Sequence, residues 1–227
     1  MHFFPFPHCP IHKNAYICSM LLIDFHSHHP SLRGERVVQD GVDTRGRHPW
    51  HLDSLPPPGQ GLAGPAEEAA DGLLAIGESG LDRLCATPYE RQLQVFGEEV
   101  VLSERLGLPL VLHCVRAIDD VLRIRRQLKA RQPIVWHGFR GSARQLVQLL
   151  PHGFYFSFGL RHDEEALRQC PPDRLLLETD EDTLHPIAEL YARAARLRGT
   201  GVDDLAGQMQ QNFRSLFGCQ PFTEKIM

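Results

Sequence analysis

From Leu21 onward, short apolar runs alternate with longer stretches whose apolar positions recur every three or four residues, the pattern of βαβ units around a parallel sheet. The short runs predict strands at Leu21 to His26, somewhere between Arg36 and His48, and at Leu73 to Glu78, Leu110 to Cys114, Pro133 to His137, Phe154 to Phe158 and Leu175 to Thr179. The amphipathic stretches predict helices at Pro88 to Leu106, Ile118 to Ala130, Ser142 to Leu150, Glu164 to Gln169, Ile187 to Arg198 and about Val202 to Phe217. Asp203 or Asp204 would start the last helix and Gly218 would stop it. Pro56 to Pro65 is rich in proline and glycine and predicts a loop. Too few residues separate the first strand from the second for a helix to form. The expected fold is therefore α/β, a TIM-like (β/α) barrel trimmed in its second βα unit.

A chain of 227 residues suits one such barrel, which takes roughly 200 to 250 residues. The reading is a single barrel over 21–227, preceded by a weakly ordered leader over 1–20 in which Met20 is an alternative start. The leader lacks a positive segment and is broken by prolines, so it is a poor secretory signal. Its His2, His8, Cys9 and His12 match no closed zinc site. No apolar run approaches the roughly 20 residues that span a bilayer. The six cysteines form no CxxC pair, which reads as reduced thiols in a cytoplasmic protein. Nothing in the chain calls for an obligate protein partner.

A net charge of -4 excludes capture of nucleic acid by overall attraction alone, so any such contact has to be local. One local source exists. Arg116, Arg123, Arg125, Arg126, Lys129, Arg131, Arg140 and Arg144 stand against only Asp119 and Asp120, either a solvated helix face or a binding patch.

The chemistry gathers at the ends of the apolar runs. In IDFHSH, strand alternation puts Asp24, His26 and His28 on one face. The run ending at Ile76 leads into Gly77-Glu78, the next into His113, the next into His137, and the last into Glu178-Thr179-Asp180. In a barrel these ends converge on one face, where active sites of this fold lie. Each residue alone has a structural explanation, such as a core histidine or a helix cap. Four histidines and two carboxylates together at strand ends are better explained as a metal site, because buried ionisable groups are costly unless paired or ligated.

These residues sit in motifs that resemble the TatD family of metal-dependent hydrolases, within the amidohydrolase-type barrels. The motifs are FHSHHP at Phe25 to Pro30, GRHPWH at Gly46 to His51, GESGLD at Gly77 to Asp82, LHCVRA at Leu112 to Ala117, WHGFRG at Trp136 to Gly141 and LLLETD at Leu175 to Asp180. The resemblance runs from Leu21 to about Phe217. It implies a TIM-like barrel, two divalent ions and cleavage of phosphodiester bonds in DNA. By motif, His26, His28 and Asp180 would hold one ion, Glu78 would bridge both, and His113 and His137 would complete the second. The chain departs from the family in a shorter stretch between the first two motifs, in Arg140 where a serine is usual, and in Glu181-Asp182 where Ala-Pro is frequent.

Mixed imidazole and carboxylate ligands suit zinc, manganese, nickel or iron, with magnesium as a further candidate. Asp180 is the candidate general base, and Asp24 and Glu178 are candidates to orient ligands. Arg116 and Arg140 follow His113 and His137 by three residues and are candidate phosphate contacts, joined by His48 and His51. Trp50 is either a stacking surface for a base or a loop anchor. The expected partner is DNA or another phosphodiester. Two other readings remain open from the residues: an amidohydrolase of amides, esters or lactones, and a metal-binding barrel without turnover.

Overall fold

The computed structural model describes residues 21–30, 35–54 and 72–218, and every structural statement below concerns those residues. The leader over 1–20 and the proline-rich loop over 56–65 lie outside them. Eight strands run in parallel pairings: β1 Leu22–Ser27, β2 Glu35–Gln39, β3 Thr44–Arg45, β4 Ala75–Asp82, β5 Leu110–Val115, β6 Ile134–Trp136, β7 Phe154–Phe158 and β8 Leu175–Leu177. Strands β3 to β8 form one sheet in sequence order and β1 pairs with β2 in another. Single parallel bridges join the two sheets at both seams, Asp40 to Thr44 and Ser27 to Asp180. The strand ring is that of the expected TIM-like barrel, and it brings the C-terminal ends of the strands to one face.

Helices follow β4 to β8 in turn: α1 Tyr89–Leu106, α2 Ile118–Gln127, α3 Ala143–Leu149, α4 Glu164–Gln169, α5 Ile187–Arg198 and finally α6 Val202–Phe217. Local signals explain several of their limits. The Ser142 hydroxyl accepts from the Gln145 amide at 3.3 Å and the Asp163 carboxylate from the Ala166 amide at 2.7 Å, satisfying backbone donors at the starts of α3 and α4. Helix α2 ends at Gln127, before the expected Ala130, because Lys129 turns into the left-handed region with φ 54°.

The trimmed half is where structure and sequence expectation differ in detail. The stretch from Arg36 to His48 yields two strands, β2 and β3, with a tight turn between them. Gly41 takes φ 75° there. The Asp43 carboxylate closes the turn by accepting from the Gln39 amide at 3.0 Å and from Arg36 at 3.1 Å. No helix follows β1 or β2 among the described residues. Strand β1 is covered instead by the last two helices: the buried Tyr191 hydroxyl of α5 donates to Ile23 O at 2.9 Å and accepts from Ile23 N at 3.0 Å, while Phe213 of α6 packs on Phe25 with ring centres 6.2 Å apart. One continuous core joins Ile23, Phe25, Leu112, Val135, Phe156, Leu176, Tyr191 and Phe213. No described helix is long and apolar enough to cross a membrane.

Candidate metal centre

Glu78 stands at the middle of the cluster, on β4, and both of its carboxylate oxygens meet imidazoles. Oε1 lies 2.6 Å from His137 Nε2, 2.8 Å from His113 Nδ1 and 3.1 Å from His48 Nε2. Oε2 lies 3.4 Å from His26 Nε2 and 3.9 Å from His28 Nε2. Asp180 Oδ1 closes the second group, 3.5 Å from His28 Nε2 and 3.9 Å from His26 Nε2. The carboxylate thus separates a group made with His48, His113 and His137 from one made with His26, His28 and Asp180. Burial alone would raise the Glu78 carboxyl, but His137, His113 and His26 outweigh it and hold the group well below the usual carboxylate range.

Close packing of glycine carries Glu78 to this position. A side chain on Gly77, which has φ 139°, would come within 2.6 Å of Val111 O. One on Gly80 would overlap His113 O. The GESG segment lies against β5 only because neither position has a Cβ. Asp180, also at a positive φ of 58°, is tied on both sides: its amide donates to His26 O at 3.0 Å and its carbonyl accepts from the His28 amide at 3.1 Å. Those bonds fix the end of β8 to the end of β1, which sets the distance between the Asp180 carboxylate and both histidines.

Two carboxylates stand behind the His137 and His113 rings. Glu178, fully buried, accepts from the Gly138 amide at 2.5 Å and lies 3.5 Å from His137 Nδ1, leaving Nε2 toward Glu78. Burial lowers the His137 imidazole, yet the charges of Glu78 and Glu178 carry it well above its usual value. Asp82 Oδ2 lies 3.2 Å from His113 Nε2 and accepts from the Trp50 indole at 2.7 Å. Sequence reasoning put Asp82 inside a motif without giving it a task, since the alternation that places it on the face of His113 is visible only in the β4–β5 register. Asp24, expected to orient a ligand, takes the Thr179 hydroxyl at 2.6 Å and the Thr179 amide at 3.1 Å, bracing the seam between β1 and β8, and accepts from the His26 amide at 3.4 Å. Burial pushes its carboxyl up to about 7.

The six expected ligands come together, and His48 joins them. Sequence reasoning placed His48 with the phosphate contacts, and its Nε2 lies 3.1 Å from Glu78 Oε1, at hydrogen-bond distance. Arg47 fastens this loop to α1 through a buried pair with Glu99 at 2.5 Å and a second contact with Glu98 at 2.9 Å. Arg116, Arg140, His51 and Trp50 line the same cavity of about 1100 Å³ as His28, Glu78, His113 and Asp180. Arg116 and Arg140 are exposed and have no carboxylate partner among the described residues. Of the remaining basic run, Arg123 pairs with Asp120 at 2.8 Å and Arg125 donates to Gln132 O at 3.1 Å. The described cysteines, Cys85, Cys114 and Cys170, are free thiols.

The donor set fits divalent metal. The His26 ring is fully buried, and neither of its nitrogens has a hydrogen-bond partner among the described residues. Buried polar atoms are seldom left so, and a metal ion on Nε2 would satisfy this one. Four sets of neighbouring donor atoms in this cluster lie within 4.8 Å of one another, among them His26, His28 and Asp180, and His48, Glu78 and His113.

Comparisons with known proteins place the chain in a family. The chain is 34% identical over 173 residues to the 3'-5' ssDNA/RNA exonuclease TatD of Erwinia amylovora, spanning 66% of that protein and 64% of itself. It is 28% identical to the uncharacterized metal-dependent hydrolase YabD of Bacillus subtilis, covering 74% of this chain and 75% of the relative. A TatD family hydrolase from Entamoeba histolytica shares the fold with a TM-score of 0.67 at 19% identity, over 82% of this chain and 76% of the other. YJJV, a TatD homologue of Escherichia coli, does so with a TM-score of 0.66 at 23% identity, over 83% and 79%. The family described as TatD related DNase matches residues 38–218, and the chain belongs to that family.

Proposed function

We propose that this protein is a divalent-metal-dependent phosphodiesterase that cleaves nucleic acid, a deoxyribonuclease of the TatD kind. The observation that carries the reading is the division of imidazoles between the two oxygens of Glu78, His137, His113 and His48 at Oε1 and His26 and His28 at Oε2. Such a carboxylate would be a ligand common to two ions. His26, His28 and Asp180 would hold one, and His113 and His137, with His48 beside them, the other. Bound there, divalent ions supply Lewis acidity toward a phosphoryl oxygen and a water acidified to neutral pH. The imidazole-rich set favours zinc, manganese or nickel over magnesium, which prefers oxygen ligands.

The chain's own residues account for the rest. The Asp180 carboxylate faces the cavity, and although burial raises it, His28, His137 and His26 keep it below its ordinary value. It is the group placed to take the proton of the attacking water. Arg116 and Arg140, unpaired at the cavity rim, present guanidinium forks to phosphate oxygens. Because the whole chain carries a net charge of -4, these two act locally on a strand already in the cavity. Glu178 and Asp82 keep His137 and His113 in the ring orientation the site needs.

The test is hydrolysis of a short labelled single-stranded DNA and of bis-nitrophenyl phosphate, before chelation, after it and after each divalent ion is restored. Restored cleavage by wild type and none by Asp180→Ala is the expected result. Charge reversal of Arg116 and Arg140 should abolish cleavage of the DNA. A protein that holds metal yet cleaves amides or esters and neither phosphodiester would overturn the reading.

A further inference from the structure

Trp50 is the one exposed aromatic side chain among the described residues, 52% accessible, while every other described phenylalanine, tyrosine or tryptophan is buried or half-buried. It is not loosely held. Its indole N–H donates to Asp82 at 2.7 Å, and its ring stands nearly perpendicular to those of His48 and His113, with centres 4.8 Å and 5.6 Å away. The N–H bond uses the polar edge of the indole, and with half of the residue accessible, ring surface stays open at the mouth of the cavity that also holds Glu78, Arg116 and Arg140. A rigid, open aromatic surface beside a phosphate site is what an unpaired nucleobase stacks on. The bond to Asp82 removes the rotamer freedom that stacking would otherwise have to freeze.

We infer that Trp50 is a specificity-determining residue: the platform on which a base next to the scissile phosphate stacks, one ring removed from the metal ligands. The inference rests on the nucleic-acid reading above and goes further by naming the residue that holds an unpaired base. A base in a duplex already stacks on its neighbours, so this platform accepts only a base that has left the helix. Any of the bases suits it, since each has a π-face. Asp82 is shared between the indole and His113, so a substitution at Trp50 can also act through the ligand, and the test has to separate the two routes.

The experiment is a fluorescence anisotropy titration of a labelled single-stranded decamer, made in the metal-loaded Asp180→Ala background so that the strand survives. One abasic residue is walked through the three 3′-terminal positions, and each strand is titrated against Trp50, Trp50→Phe and Trp50→Ala proteins. With Trp50 present, an abasic residue at one position should weaken binding about tenfold, the scale of a single base–aromatic stack. Trp50→Ala should bind the intact strand about tenfold more weakly and show no further loss at that abasic position. Trp50→Phe, which keeps a ring and loses the N–H, should retain most of the affinity and the abasic penalty. An abasic penalty that survives in Trp50→Ala overturns the inference, as does an intact strand bound equally well without Trp50. So does a Trp50→Phe protein that behaves as Trp50→Ala, since the indole would then act only through Asp82. Hydrolysis of the same strand by wild type is scored separately, so loss of the nuclease reading and loss of the stacking role are distinct results.

Discussion

From β4 to β8 each strand is followed by a helix that covers it, whereas among the described residues β1 and β2 are followed by none and β3 by the short 3₁₀ helix Pro49–Ser54. Both halves nonetheless supply the site: Glu78, His113, His137 and Asp180 come from the regular half, His26, His28 and His48 from the trimmed one. In the regular half, ligand positions follow from strand register and glycine packing. In the trimmed half they depend on individual polar contacts reaching across from the other. Tyr191 of α5 clamps β1, the Asp180 backbone ties the end of β1, and Glu99 of α1 holds the His48 loop through Arg47. A βα unit can therefore be cut back without loss of the site, provided that polar contacts from the intact half take over the positioning.

The largest effect belongs to the residue both halves share. Glu78→Ala removes the common ligand, and cleavage of a labelled oligonucleotide should fall by on the order of a thousandfold or more. Next is the strut of the trimmed half. Arg47→Met leaves the buried Glu99 carboxylate without its cation, which should cost about 3 kcal/mol and lower the melting temperature by roughly 6–12 °C. A melting temperature within a degree or two of wild type would show that the His48 loop is held by something else.

Within the regular half, Glu178→Gln keeps the shape beside His137 but loses the charge, and metal affinity measured against a competing chelator should weaken roughly 10- to 100-fold. An unchanged affinity would remove Glu178 from the account of the site. At the small end stands Arg123→Ala. Its pair with Asp120 is an exposed contact on α2, and urea denaturation should detect no more than about 0.5 kcal/mol. A larger loss there would contradict the division between positioning contacts and solvated surface pairs.

How far the sequence anticipates this structure depends on the kind of signal. Helices α4, α5 and α6 and strand β7 fall at the expected limits because each has a clear apolar period and end signals. The six candidate ligands are legible because each follows an apolar run, and a barrel converts that regularity into convergence. His48 has no such position. It lies in a loop, and its approach to Glu78 depends on the Arg47–Glu99 pair across 52 residues, which no periodicity announces. Asp82 and Glu178 were visible as residues, but their tasks depend on which neighbouring ring each reaches. The split of Arg36 to His48 into β2 and β3 turns on Gly41 and the Asp43 carboxylate, local chemistry too short for a pattern to reveal.

The central claim is that Glu78 divides one cluster into two metal sites, and metal counting at equilibrium tests it most directly. Zinc- or manganese-saturated wild type should hold two ions per chain, Asp180→Ala should keep one tightly bound, and Glu78→Ala should hold neither tightly. A single ion in wild type, or two retained by Glu78→Ala, would contradict the account.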